Sequence, residues 1–279
     1  MALPLHWKNL HVHRSPTFIM GILNVTTDSF SDGGKFIETD EAVDHAMEME
    51  ENGADIIDIG GESTRPGAES VSLGIELNRV VPVIEAIRTH SDICISVDTT
   101  KSIVAEKSLE SGADIVNDIS GLQFDPGMKD VVVHRQVPVI IMHMKGQPAT
   151  MQKNPHYDDL IEEIVVYFKE RLAFCKRVGI KEKNIILDPG IGFGKTQEHN
   201  YQLLRELAKI NQLGFPVLIG ASRKSFIGLT LNTSADQRLE GTAAAVAASI
   251  LNGAKMVRVH DVKEMKRVAL IADEIRGLA

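Results

Sequence analysis

A five-residue phrase recurs along this 279-residue chain and limits what it can fold into more than any single motif does. Gly53-Ala54-Asp55-Ile56-Ile57 returns as Gly112-Ala113-Asp114-Ile115-Val116 and, more loosely, as Gly253-Ala254-Lys255-Met256-Val257. Each copy follows a helical pattern and opens a short apolar run. A glycine just past a helix end suits a left-handed C-terminal cap. The Ile/Val run after it suits a strand buried on both faces of a parallel sheet. Read as two and then four βα units, the separations give about 30–35 residues per unit. The chain then holds about eight units, the number of a (β/α)8 TIM barrel. An open doubly wound sheet is the alternative architecture for such units.

Eight apolar runs can be placed as strands: Phe18–Asn24, Ile56–Gly60, Ile93–Asp98, Ile115–Asp118, Val139–His143, Ile185–Asp188, Val217–Ala221 and Met256–His260. Helical patterns lie between them. The clearest puts Ile161, Ile164, Val165, Phe168, Leu172 and Cys175 on one face and stops at Gly179. The last helix repeats the pattern with Val268, Ile271, Ala272 and Ile275. Before the first strand, Leu5–Trp7 and Leu10–Val12 alternate around Lys8-Asn9, as a hairpin plugging the barrel bottom would. No Ser/Pro/Gly-rich stretch or charge block divides the chain. It reads as one α/β domain over residues 1–279, with its core at about 17–275.

Polar residues gather where the apolar runs end. The runs finish in or lead into Asn24, Glu62-Ser63-Thr64-Arg65-Pro66-Gly67, Asp98, Asn117-Asp118, His143, Asp188, Ser222-Arg223-Lys224, and Arg258 with His260. A polar group in a buried strand is costly unless paired. A set of them at one end of every strand marks the catalytic mouth of a barrel. Asp98, Asn117 and Asp188 suit the edge of a flat, amide- or guanidine-like heterocycle. No His or Cys accompanies them in a zinc-type spacing. Arg258 and His260 suit an anion such as phosphate, and Asn24 offers a hard oxygen that could help hold Mg²⁺ beside substrate phosphates. Two polar loops, TTDSFSDGGKF from Thr26 and ESTRPGAES from Glu62, are placed to cover the mouth.

One tempting signal fails. Gly190-Ile191-Gly192-Phe193-Gly194-Lys195-Thr196 looks like a nucleotide phosphate loop, but Gly190 stands one residue too close to the Gly-Lys-Thr. The glycines instead let backbone approach a flat ligand after strand six. The charge balance also excludes partners. Lys and Arg number 30 against 38 Asp and Glu, a net charge of −8, which disfavours nucleic acid and anionic membrane. There is no apolar run long enough to span a bilayer and no signal-peptide pattern, so the expectation is a cytoplasmic protein. Cys94 and Cys175 sit in apolar patterns and read as reduced core residues.

Eight motifs in order carry a resemblance: MGILNVTTDSFSDGG, GGESTRPGA, SVDTTK, VNDISG, MHMKGQP, ILDPGIGFGK, GASRKSFIG and RVHDV. Over about Thr17 to Ala272 the chain resembles the dihydropteroate synthase family. The resemblance implies a monofunctional TIM-barrel transferase of folate biosynthesis, homodimeric, using Mg²⁺ and targeted by sulfonamides. It would join 7,8-dihydropterin-6-ylmethyl diphosphate to 4-aminobenzoate and release pyrophosphate. Carried onto this chain, Asp98, Asn117, Asp188 and Lys224 hold the pterin, with Met142 and Phe193 against its ring. Asn24, Arg258 and His260 hold the diphosphate, with the metal at Asn24. Thr64, Pro66, Phe30 and Ser225 surround the aminobenzoate, and Arg65 and Asp32 ride on the covering loops. Asp32, Lys224, Arg258 and His260 are the residues expected to act on the reacting centre. Two other readings share the pterin carboxylates: a methyltetrahydrofolate–corrinoid methyltransferase, which would not need Arg258, His260 and the two loops, and a non-catalytic pterin binder.

Overall fold

The computed structural model describes residues 16–25, 35–63 and 70–277. Its eight strands are β1 (Phe18–Asn24), β2 (Ile56–Gly60), β3 (Cys94–Asp98), β4 (Ile115–Asp118), β5 (Val139–Met142), β6 (Ile185–Asp188), β7 (Leu218–Ile219) and β8 (Met256–Val259). The helices among these residues are α1 (Lys35–Glu51), α2 (Leu73–Arg88), α3 (Ser102–Glu110), α4 (Met128–Arg135), α5 (Leu160–Val178), α6 (Gln197–Arg205), α7 (Leu207–Asn211), α8 (Ser225–Leu231), α9 (Leu239–Leu251) and α10 (Val262–Arg276). All strand pairs are parallel, in the order β6-β5-β4-β3-β2-β1-β8-β7. A bridge between Leu187 and Val217 joins β6 to β7 and closes the ring. The chain is therefore a (β/α)8 barrel rather than an open sheet.

Strand alternation divides the apolar residues between two cores. Phe18, Met20, Ile56, Cys94, Ile115, Ile140, Ile186, Leu218 and Met256 form one buried cluster, the filling of the barrel. Their neighbours Ile19, Ile57, Ile95, Val116, Ile141, Leu187, Ile219 and Val257 belong to the other, packed between strands and helices. Side chains two residues apart share a face, so each strand feeds both layers. That is why the strands read as unbroken apolar runs. Truncating a lumen residue such as Ile56 to Ala is a loss of about 2–5 kcal/mol.

The recurring phrase has a physical purpose. Gly53, Gly112 and Gly253 take φ values of 96°, 115° and 101°, the left-handed turn that ends α1, α3 and α9. In the first two copies the aspartate then caps a neighbouring strand. Asp55 accepts the N–H of Ile19 at 2.8 Å, and Asp114 that of Ile95 at 2.9 Å. Helix α5 follows its sequence pattern. Asp159 caps its start by accepting from the N–H groups of Ile161 and Glu162, and Gly179 ends it in the left-handed region.

Several boundaries differ from the sequence reading. β3 begins at Cys94, β5 ends at Met142 and β8 at Val259, so His143 and His260 lie just past the ladders. β7 shrinks to Leu218–Ile219; it follows Pro216, which has no N–H to donate. On α10 the buried apolar residues are Val262, Met265, Ala269 and Ala272, while Ile271 and Ile275 are 64% and 68% exposed. The expected inner face is therefore rotated, sharing only Ala272 and the half-buried Val268. The N-terminal hairpin expected over Leu5–Val12 falls outside the described residues.

Candidate active site

Strand register builds one row across the mouth. Asn24 pairs in register with Gly60, Gly60 with Asp98, and Asp98 with Asn117. Gly60 leaves an opening where a Cβ would stand 3.8 Å from Asp98 Oδ2 and 3.9 Å from Asn24 Oδ1. The two side chains thus meet above a residue that has none.

Arg258 reaches this row from the far side of the seam between β1 and β8. Its Nε donates to Asp58 Oδ2 at 2.5 Å and its terminal nitrogen to Asp98 Oδ2 at 2.8 Å. Asn117 donates to the same Asp58 oxygen at 3.1 Å. Asp58 is completely buried. The sequence reading missed it because it lies in mid-strand rather than at a strand end. The signal was there: a carboxylate inside Ile56-Ile57-Asp58-Ile59 needs a cation. Asp98 keeps its other oxygen, Oδ1, buried without a hydrogen-bond partner among the described residues. Burial raises its pKa against the pull of Arg258, and the charges of Asp58, Glu76 and Asp118 add to the rise.

β5 and β6 form the opposite wall. Asp188 Oδ1 accepts the N–H of Gly190 at 2.7 Å, and burial pushes its pKa up to about 6. Gly190 has φ 70°, and a Cβ there would fall 2.0 Å from the His143 carbonyl oxygen, so the loop can pass only as glycine. Met142 and Phe193 meet here in a small apolar cluster with Ile119 and Met151, two residues the sequence reading did not single out. Lys224 lies with its Nζ 4.4 Å from the centre of the Phe193 ring, a cation–π distance.

Past β7 the backbone turns sharply. Arg223 adopts φ 55°, and its N–H donates to Thr242. Its guanidinium pairs with Asp261 at 2.5 Å. Ser222 Oγ lies 3.0 Å from His260 Nδ1 and accepts the His260 N–H at 3.1 Å. Burial, with Arg258 and Arg223 nearby, pushes the His260 pKa down to about 3. Its ring is neutral at neutral pH and offers a hydrogen bond rather than a fixed charge. Ser225 opens α8 and is exposed at the edge of a 420 Å³ cavity.

Glu62, where the second polar loop begins, is held by a lysine. Lys101 donates to Glu62 and to the buried Glu76, and Glu76 also accepts from Thr99 at 2.6 Å. Phe30, Asp32, Thr64, Arg65 and Pro66 lie outside the described residues. The other expected residues, Asn24, Asp98, Asn117, Met142, Asp188, Phe193, Lys224, Ser225, Arg258 and His260, lie at the carboxyl ends of the strands or in the loops that follow them, or one position inside in the case of Asn117 and Arg258. No group of three His, Cys, Asp or Glu suited to a metal occurs among the described residues. The bowl thus offers acceptors for a flat heterocycle edge, an apolar wall for its face, and cations and a neutral imidazole for an anion.

Comparison with known proteins agrees with this chemistry. The family described as "Pterin binding enzyme" matches residues 20–260. The dihydropteroate synthase of Synechocystis sp. is 49% identical over 260 residues, covering 93% of this chain and 90% of the relative. The dihydropteroate synthase of Yersinia pestis, solved with a sulfonamide drug complex, superposes with a TM-score of 0.89 at 46% identity over 94% of this chain and 95% of its own. That of Xanthomonas albilineans, solved with 4-aminobenzoic acid, gives a TM-score of 0.88 at 42% identity over 95% and 94%.

Proposed function

From the premise that this chain belongs to the pterin-binding enzyme family, and within it to the dihydropteroate synthases, we propose that it condenses 7,8-dihydropterin-6-ylmethyl diphosphate with 4-aminobenzoate. The products are 7,8-dihydropteroate and pyrophosphate. The observation that carries this reading is the meeting of Asp98, Asn117 and Arg258 in one hydrogen-bonded group around Asp58.

Asp98 and Asp188 accept from the amino and ring N–H groups of the pterin, and Asn117 bonds the adjoining edge. Met142 and Phe193 cover the ring face, with Lys224 against Phe193. Arg258 neutralises the diphosphate as its C–O bond breaks and the electron pair leaves with pyrophosphate. His260 donates a hydrogen bond to it. A cation forms at the methylene carbon, stabilised by the electron-rich ring and by the carboxylates, Asp188 and Asp32. The neutral aniline nitrogen of 4-aminobenzoate then attacks and loses its proton to solvent. Proximity replaces a strong base or covalent nucleophile. Ser225, Thr64, Pro66 and Phe30 surround the aminobenzoate, and Arg65 and Asp32 close over both substrates.

The donor set fits Mg²⁺, which usually takes one or two protein oxygens beside substrate phosphates. The Asn24 amide oxygen, set beside Asp98 over Gly60, would hold it. When bound it adds charge neutralisation at the leaving group. We also infer a cytoplasmic homodimer sensitive to sulfonamides. No described helix is long and apolar enough to cross a membrane. Exposed Leu231 lines a groove of 340 Å³ between α6, α8 and α9, and Leu229, Leu239 and Leu251 are also exposed on α8 and α9, apolar surface that a second copy would cover.

Pyrophosphate release is the test. It should require the pterin diphosphate, 4-aminobenzoate and Mg²⁺ together. Release that proceeds equally without 4-aminobenzoate would make the protein a hydrolase and overturn the reading.

A further inference from the structure

Lys195 is a charged side chain that the condensation does not use, and it is 3% exposed. Its Nζ donates to the Phe193 carbonyl at 3.0 Å and lies 3.0 Å from His143 Nδ1. Burial lowers the pKa of the His143 imidazole, which leaves Nδ1 free to accept from the ammonium. His143 is also fixed from its own side. Its N–H donates to the Asp188 carbonyl at 2.8 Å, and its ring stands edge-on to Tyr167 at 4.9 Å. Tyr167 in turn donates to the Met142 carbonyl at 2.8 Å, and Tyr157 to the Gly194 carbonyl at 2.9 Å. The end of β5 and the glycine loop after β6 are thus tied together by the Lys195 ammonium, beside the backbone bond from His143 to Asp188.

We propose that Lys195 is a positioning residue of the pterin pocket: bonded at once to His143 and to the Phe193 carbonyl, it holds Phe193 and Asp188 in place against the heterocycle. The inference rests on the reading given under Proposed function. A merely structural lysine would be a poor choice for this place. A buried ammonium is expensive, and a methionine would fill the volume without that cost. What the charge adds is a cation behind Asp188, keeping that carboxylate available to accept from the pterin. Burial lowers the Lys195 pKa to about 7, with Asp188 opposing that fall and Lys224 adding to it. The groups facing it are His143 just past β5, Asp188 from β6, His199 from α6 and Lys224 from the start of α8, with Lys145 acting on His143 and His199. Tyr157 and Tyr167 stand around the His143 ring.

The test is steady-state kinetics of the full-length Lys195→Met variant with both substrates across pH, beside a thermal melt. The KM for the pterin diphosphate should rise on the order of tenfold while that for 4-aminobenzoate stays within about twofold. The acid limb of kcat/KM for the pterin diphosphate should move to higher pH, because Asp188 loses its cation. Both KM values rising together, or an acid limb that stays in place, would overturn the proposal. Two changes at the other end of the contact decide the matter if Lys195→Met does not fold. His143→Asn keeps an acceptor near the Nδ1 position and should stay close to wild type, whereas His143→Leu should reproduce the selective pterin loss. Equal behaviour of the two would overturn it. A wild-type protein that turns over no pterin diphosphate fails the parent reading instead.

Discussion

Arg258 and Asp188 show how far single residues set the behaviour of the bowl. Arg258 offsets two buried carboxylates, so Arg258→Ala leaves Asp58 and Asp98 unpaired. Breaking a buried pair from one side costs about 3–5 kcal/mol. The variant should melt lower at pH 7, recover part of the loss on adding Asp58→Asn, and bind the pterin diphosphate far more weakly than the product. Equal losses for the two ligands would move Arg258 from the diphosphate to the heterocycle. Asp188 carries a raised pKa, about 6 against an ordinary 3.8. Below about pH 4 it is protonated in both the folded and the unfolded chain and contributes nothing. Between 4 and 6 the unfolded chain releases its proton first, so stability falls as pH rises, and above 6 the penalty is complete. Asp188→Asn should therefore stabilise the empty protein at pH 7 by on the order of 1–3 kcal/mol, lose that gain by pH 4, and bind pterin poorly. Denaturant melts at the two pH values check this. Residues such as these were legible because they end apolar runs. Asp58 and Lys195 were missed: a mid-strand acid signals that it needs a cation but not which one, and a loop lysine becomes meaningful only when another strand brings up its partner.

Among the elements, the strands were read best. Each had to satisfy two cores at once, and that leaves a dense Ile/Val signature with little room for error. Helix α5 was equally clear, because its caps and its apolar face agreed. On α10 they did not: apolar residues occur nearly all round it, and periodicity alone picked Ile271 and Ile275 over the Met265 and Ala269 that pack inward. β7 was overread because the apolar run from Val217 to Ala221 is longer than the ladder it forms. The Gly-Ala-Asp phrase also separates stability from catalysis. Asp114 accepts from Ile95 and pairs with Arg88 at 2.6 Å, at the start of β4 and away from the mouth. Asp114→Ala should cost about 1–3 kcal/mol in denaturant melts and leave both KM values unchanged. A selective rise in either KM would show that the two ends of the barrel are coupled.

For the whole molecule, a chain of net charge −8 nevertheless gathers Arg258, Arg223 and Lys224 at one rim. Arg258 and Arg223 are already paired there, with Asp58 and Asp98 and with Asp261, so the rim offers a small anion positioned donors rather than bare charge, while the acidic remainder of the surface repels polyanions. The apolar groove between α6, α8 and α9 gives the assembly prediction. Sedimentation should find twice the 30.6 kDa mass. Ala248→Glu, which places a charge in that groove, should yield a monomer with an intact melt. A wild-type chain that sediments as a monomer at micromolar concentration would remove self-association from the account.

The ring closes through a two-residue strand and one bridge, Leu187 to Val217, reinforced by the Leu187 N–H on the Pro216 carbonyl at 2.9 Å. Every other junction is a ladder of two to five paired residues. A hoop fastened this way has a clasp, and the clasp sits immediately beneath Asp188. Thermal breathing of the barrel should concentrate where its backbone is least stitched, at the Leu187–Val217 joint, while Asp188 one residue on is pinned by the His143 N–H on its carbonyl and the Gly190 N–H on its carboxylate.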